Sequence, residues 1–236
     1  MKKVFYLNFI FVLSTISLYA CGGGAGEDIK PASIKEPQAV TESSQPLRDE
    51  LLALAKQYPA IQGGIFFYGS STFTRWNASL NKDFPGFSVV PRGFGGSTFY
   101  DALLYLDEFV LNFKPKIIIV YEGDNDIYFG VTPQGVLANA KLFLQRVKVK
   151  SPATKVVFLS LKPSIQRKSK LTLQVETNLL IKNLCDSNDC HYVDVTSPML
   201  DKTGNVIASY YDGTDGLHFN QSGYILWKNI IDKFLN

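Results

Sequence analysis

Four short segments of this chain carry the side chains that nucleophilic hydrolysis needs: a serine, a base, a carboxylate and amide donors. Tyr68-Gly69-Ser70-Ser71-Thr72 follows an apolar run. A serine that ends a strand and opens a helix turns its N–H and hydroxyl toward the space beyond the sheet. The same Gly-Ser-Ser also serves as an ordinary turn and helix cap. In Asp212-Gly213-Thr214-Asp215-Gly216-Leu217-His218-Phe219-Asn220, Asp215 and His218 are separated by two residues. At that spacing they can face each other across one turn, so a single loop could hold a base and its orienting carboxylate. The only other histidine, His191, opens the strand-like His-Tyr-Val-Asp-Val and reads as structural, which leaves His218 as the base.

Two further loops offer donors. Arg92-Gly93-Phe94-Gly95-Gly96-Ser97 could turn tightly and leave backbone N–H groups free. A dinucleotide loop is the rival, but the G-x-G-x-x-G spacing fails because position 98 is Thr. A plain turn stays open. Glu122-Gly123-Asp124-Asn125-Asp126 puts an asparagine at a strand end, where its amide can point into a crevice. Three carboxylates there also allow a divalent-cation reading, although the spacing is not that of a calcium loop and loop carboxylates are commonly just solvated.

These loops need a frame, and the pattern between them supplies one. Apolar runs at Gly64–Tyr68, Lys116–Tyr121, Lys155–Ser160 and Tyr192–Val195 read as strands, with a short one ahead of Arg92. Helical periods occupy Leu47–Tyr58 and the stretches near 98–112, 133–149, 171–184 and 221–235, and Thr132-Pro133 reads as an N-cap with a first-turn proline. Strands alternating with helices imply a parallel sheet covered on both faces, an α/β three-layer α/β/α sandwich. Ligands in such sheets sit beyond the carboxyl ends of the strands, where all four loops fall.

Taken in order, Gly-Ser-Ser, Gly-Phe-Gly-Gly-Ser, Gly-Asp-Asn-Asp and Asp-Gly-Leu-His resemble the four blocks of the SGNH hydrolase (GDSL-like lipase-esterase) superfamily. The resemblance runs over roughly residues 60 to 236 and takes in Trp76, Lys162-Pro163-Ser164 and the last helix. It implies a flavodoxin-like fold and a cofactor-free serine esterase with Ser71 as nucleophile, His218 as base and Asp215 as orienter. The oxyanion hole would be the Ser71 N–H, the Gly95 N–H and the Asn125 amide. Ser70 stands where the family's name-giving motif has Asp; that position is outside the triad, and many relatives also read Gly-Ser-Ser. The G-x-S-x-G elbow of α/β-hydrolases is absent. The expected substrates are short-acyl esters such as acetylated carbohydrates; the alternatives are a lysophospholipid and a non-catalytic envelope binding protein on the same fold.

The rest of the chain bears on location. Met1-Lys2-Lys3 and the apolar run to Ala20 read as a signal peptide over 1–20, and Leu18-Tyr19-Ala20-Cys21 resembles a lipobox, with Cys21 lipidated. Residues 21–46, rich in Gly, Ser, Pro, Glu and Lys, read as a tether, and 47–236 as the hydrolase domain. The expectation is an exported protein anchored by lipid to the bacterial cell envelope. Cys185 and Cys190 would then pair as a disulfide; zinc, the alternative, lacks ligands beyond His191. Hydrophobic residues at 46% against 19% charged exclude a mostly disordered chain. Removing Lys2 and Lys3 leaves 22 basic against 21 acidic residues, too even for a nucleic-acid partner.

Overall fold

A computed structural model of the chain describes residues 45–236. The expected signal peptide, Cys21 and the expected tether up to residue 44 lie outside the described residues. Helix α1 runs Gln45–Gln57, so Gln45 and Pro46, read above as the end of the tether, belong to its first turn.

Five strands follow: β1 (Ile65–Gly69), β2 (Val89–Gly93), β3 (Ile117–Tyr121), β4 (Lys155–Leu159) and β5 (His191–Val193). All neighbours pair parallel, in the order β2-β1-β3-β4-β5. The connecting helices are α2 (Ser71–Thr74), α3 (Leu80–Asp83), α4 (Phe99–Phe109), α5 (Asp124–Tyr128), α6 (Pro133–Lys150), α7 (Leu171–Asp186) and α8 (Gln221–Leu235). This is the three-layer α/β/α arrangement expected from the alternating pattern.

The inner strands β1 and β3, and β4 after Lys155, read as unbroken apolar runs because both faces are covered. Phe66, Tyr68, Ile118, Val120, Val156 and Phe158 point into one core with α1, α4, α6 and α7. Ile65, Phe67, Ile117, Ile119, Tyr121, Val157 and Leu159 point into the other, with α2, α3 and α8. Each fully buried Phe, Leu or Ile there contributes about 1.5–3 kcal/mol, so the two-residue alternation pins the register.

Helix starts are written locally. Thr98 and Asp101 form a capping box at α4, Thr132 accepts the Gly135 N–H ahead of Pro133 at α6, and Asn220 accepts from Ser222 and Gly223 at α8.

The chain moves outward from β1 to β2 and then crosses back to β3. The loops after β1 and β3 therefore part at a switch point, where a crevice opens. Two glycines let the backbone pass there. Gly69 has φ +147°, and a Cβ on it would lie 2.2 Å from the Tyr121 carbonyl oxygen of β3. Gly93 lies under α2, where a Cβ would come 2.3 Å from the Thr74 nitrogen. Any side chain at either position would push the Ser71 turn off the sheet.

Candidate active site

The crevice is lined by five segments: the loops after β1, β2, β3 and β4, and the segment 212–220 ahead of α8. Ser71 is the first residue of α2, half-buried. His218 Nε2 lies 2.9 Å from its Oγ, and His218 Nδ1 lies 2.7 Å from Asp215 Oδ2. An ionised carboxylate can only accept, so Nδ1 carries the ring proton and Nε2 is free to accept from the Ser71 hydroxyl.

The Asp215 loop is braced from several sides. Asp215 Oδ1 accepts the N–H groups of Leu217 and His218, both at 2.9 Å, and Arg75 Nη2 reaches Oδ2 at 3.1 Å. Lys162 donates to the Leu217 carbonyl at 2.6 Å, and the N–H groups of Ile165 and Gln166 donate to Gly216 at 3.0 and 3.2 Å. The Tyr211 hydroxyl donates to the Pro163 carbonyl. Residues 162–166 after β4 thus clamp the loop of Asp215 and His218 against the sheet.

These surroundings set the charges. Burial pulls the Asp215 pKa upward, but the His218 N–H, the His218 ring and the Leu217 N–H outweigh it, leaving Asp215 well below the usual carboxylate range. Burial lowers the His218 pKa, Asp215 opposes and Arg75 assists, so the ring ends below its ordinary 6.5. The imidazole is therefore neutral at neutral pH, as a base must be. Burial also lowers Lys162, to about 8.

The expected oxyanion donors fare unequally. Among the described residues no acceptor takes the N–H of Ser71. The Gly95 N–H is taken: both Glu50 carboxylate oxygens, from α1, lie 2.9 Å from it. The N–H of the next residue, Gly96, meets no acceptor among the described residues. Asn125 is buried, with Nδ2 donating to the Ser97 carbonyl at 2.8 Å and to Ser70 Oγ at 3.3 Å. Its Oδ1 accepts from Arg167 Nη2 at 2.9 Å.

The solvated-loop reading of 122–126 is corrected. Asp124 to Tyr128 wind into α5, and Glu122, Asp124 and Asp126 are all buried, because each has its own partner. Ser97 donates to Glu122 at 2.5 Å, Gln174 to Asp124 at 2.7 Å, and the Phe99 N–H to Asp126 at 3.0 Å. With the three aimed apart, no group of His, Cys, Asp or Glu among the described residues is arranged for a metal ion. Burial raises Asp126 to about 6 and Glu122 well above the usual range.

His191 stands in β5 with its ring 5.3 Å from Phe234, away from the crevice. Cys185 and Cys190 form a disulfide with Cα atoms 4.8 Å apart. Sequence reasoning missed Glu50, Arg75 and Arg167. Nothing near them marks their partners, which lie 45, 140 and 42 residues away.

The GDSL-like Lipase/Acylhydrolase family model matches residues 59–226. The chain is 29% identical over 135 residues to the bovine (Bos taurus) platelet-activating factor acetylhydrolase IB subunit alpha1, covering 56% of each. It spans about half the length of the curated relatives it matches. A GDSL-like lipase of Bacteroides thetaiotaomicron superposes with a TM-score of 0.64 at 20% identity, over 80% of this chain and 95% of that one. An acetyl xylan esterase superposes at 0.56 and 18% identity, over 70% and 96%.

Proposed function

The chain belongs to the GDSL-like lipase/acylhydrolase family, whose chemistry is ester hydrolysis, and from that premise we propose that it is a serine esterase acting through Ser71, His218 and Asp215. The observation that carries the reading is the line of contacts from Ser71 Oγ to His218 Nε2 at 2.9 Å and from Nδ1 to Asp215 at 2.7 Å. His218 Nε2 takes the Ser71 hydroxyl proton as Oγ bonds to the ester carbonyl carbon. The tetrahedral oxyanion is met by the Ser71 N–H, the Asn125 amide and the Gly95–Gly96 segment, in which Gly96 holds the open N–H. His218 returns the proton to the departing alcohol and leaves an acyl group on Ser71. Water, deprotonated by His218 in turn, releases the acid. Losing one such donor costs about 10²–10³ in rate.

The substrate we favour is a short-acyl ester, an acetylated carbohydrate above all. Of the aromatics near these loops, Phe94, Phe99 and Tyr211 are core residues, while Tyr128 and Phe129 are 50% and 67% exposed. Their rings stand 5.3 Å apart just beyond Asn125, a small wall on which a sugar ring could rest. On p-nitrophenyl esters, acetate and butyrate should be cleaved well ahead of palmitate, and Ser71→Ala should remove all hydrolysis. A preference for palmitate would replace the carbohydrate reading with a lipid one. We also propose that Cys21 carries lipid and anchors the domain to the bacterial envelope; mass spectrometry of the native protein tests it, and an unmodified Cys21 would overturn it.

A further inference from the structure

Arg167 is the least expected residue near the crevice. It is a cation 94% removed from solvent (6% exposed), in the segment between β4 and α7, and the hydrolytic steps do not use it. Its Nη2 donates to Asn125 Oδ1 at 2.9 Å. Its Nη1 lies 2.8 Å from Asp124 Oδ2, an ion pair whose angle is too bent for a hydrogen bond, and Gln174 holds the other Asp124 oxygen at 2.7 Å. Its Cζ sits 4.4 Å from the centre of the Tyr128 ring. Arg167 is therefore fixed by a carboxylate on one side and an aromatic face on the other, and its one side-chain hydrogen bond among the described residues goes to one atom of Asn125.

That atom matters because a side-chain amide has two unlike ends on nearly the same outline. A guanidinium can only donate, so the end of Asn125 facing Arg167 must be the oxygen. The Ser97 carbonyl can only accept, so the end facing it, 2.8 Å away, must be the NH₂. Turning the amide over would set NH₂ against guanidinium and oxygen against carbonyl, replacing two hydrogen bonds with two repulsions. The NH₂ end is also the one beside Ser70, 3.3 Å from its Oγ, next to the nucleophile. Ser97 alone would favour this orientation with a neutral hydrogen bond; the buried cation adds a second, charge-assisted bond at Oδ1, roughly twice as strong as a neutral one.

We propose that Arg167 is a positioning residue that fixes the Asn125 amide with one N–H held by the Ser97 carbonyl and the other turned toward Ser70 and the nucleophile, presetting a donor for the oxyanion. This rests on the serine-esterase reading above. An oxyanion forms only along the reaction path, so a misaligned donor weakens the transition state more than ground-state binding.

The test is a double-mutant cycle on p-nitrophenyl acetate. Arg167→Met should lower kcat by about 10–10², with KM changed less than threefold, and Arg167→Lys should restore part of the loss because a lysine can still donate to Oδ1. In an Asn125→Ala background, Arg167→Met should cost less than about twofold, since the group it acts through is gone. Arg167→Met leaves the buried Asp124 carboxylate with Gln174 but without its ion-pair partner, so Asp124→Asn/Arg167→Met, which removes both charges of the pair, is measured beside it, with melting temperatures for every variant. An equal loss from Arg167→Met with and without Asn125 would overturn the proposal, as would a rise in KM with kcat unchanged. Ser71→Ala separates the two readings: if it retains hydrolysis, the serine-esterase reading fails. If it is inactive while the cycle is additive, only the role of Arg167 fails.

Discussion

Replacing Asp215 by asparagine changes one oxygen into an NH₂ group, and the loop decides where that group must go. Oδ1 accepts two backbone N–H groups at 2.9 Å, from Leu217 and His218. An NH₂ in that place would face two fixed backbone donors, so the amide oxygen stays there and the NH₂ falls at Oδ2, 2.7 Å from His218 Nδ1, where the exposed Arg75 side chain, 3.1 Å away, can turn to solvent. Nδ1 must then accept, the ring proton moves to Nε2, and Nε2 donates toward Ser71 when it should receive. The shape survives and the tautomer is wrong. Turning the amide over would lose two backbone hydrogen bonds, each worth about 0.5–1.5 kcal/mol net, so it offers no escape. Catalysis would run only through the minor tautomer, and kcat on p-nitrophenyl acetate should fall by about 10³–10⁴, equivalent to about 4–5.5 kcal/mol of barrier, with KM little changed. The neighbouring Asp212, 3.8 Å from Arg75 Nη1 and half-buried, is the control: Asp212→Asn should stay within about threefold. An Asp215→Asn enzyme within tenfold of the parent, properly folded, would refute the assignment of Asp215 as the residue that sets the His218 tautomer.

Three further outcomes are expected. The kcat/KM profile should rise with pH along an acid limb centred below 6.5, because burial and Arg75 keep His218 neutral while Asp215 stays ionised; a midpoint above 7 would contradict this. Replacing Cys185 and Cys190 by alanine opens a loop of sequence separation 5, and calorimetry should show a loss of about 2 kcal/mol, or about 4–8 °C in Tm, with kcat unaltered. Glu50→Ala should lower stability by about 1–2 kcal/mol because the Gly95 N–H loses a charged acceptor, and Glu50→Gln should fall between; an unchanged urea midpoint for both would mean that the contact is idle in solution.

What could be read from the residues alone was whatever short spacing decides. The apolar runs at β1, β3 and β4 announced themselves because both faces of a parallel sheet are dry, α6 because its cap and first-turn proline sit at its start, and α8 by its helical period. Asp215 and His218 were legible for the same reason: their contact closes within one turn. The short helices were harder. Five residues are enough for α5 but too few to display a helical period, so 122–126 read as a loop with solvated acids. Their burial depends on Ser97, Gln174 and Phe99, which come from elsewhere in the chain.

The same limit applies to every residue that tunes the crevice, and it explains why the oxyanion donors were the weakest part of the reading. Gly95 was carried over from a sequence block, and a block says nothing about what lies across from its N–H. The Glu50 carboxylate that fills that place sits on α1, before the residues matched by the family, and reaches Gly95 only because α1 packs on the sheet face that also carries α4. Arg75 comes to Asp215 because α2 and the 212–220 segment meet above β1. Arg167 comes to Asn125 because the loop after β4 folds back toward α5. Each is a charged residue in an unremarkable stretch, given its meaning by strand order. The Asp215–His218 pair is thus written locally, while the charges of Glu50, Arg75 and Arg167 that surround the crevice are written in the topology. Variants of Arg75 and Arg167 should therefore change how well the site works while leaving in place the groups that react.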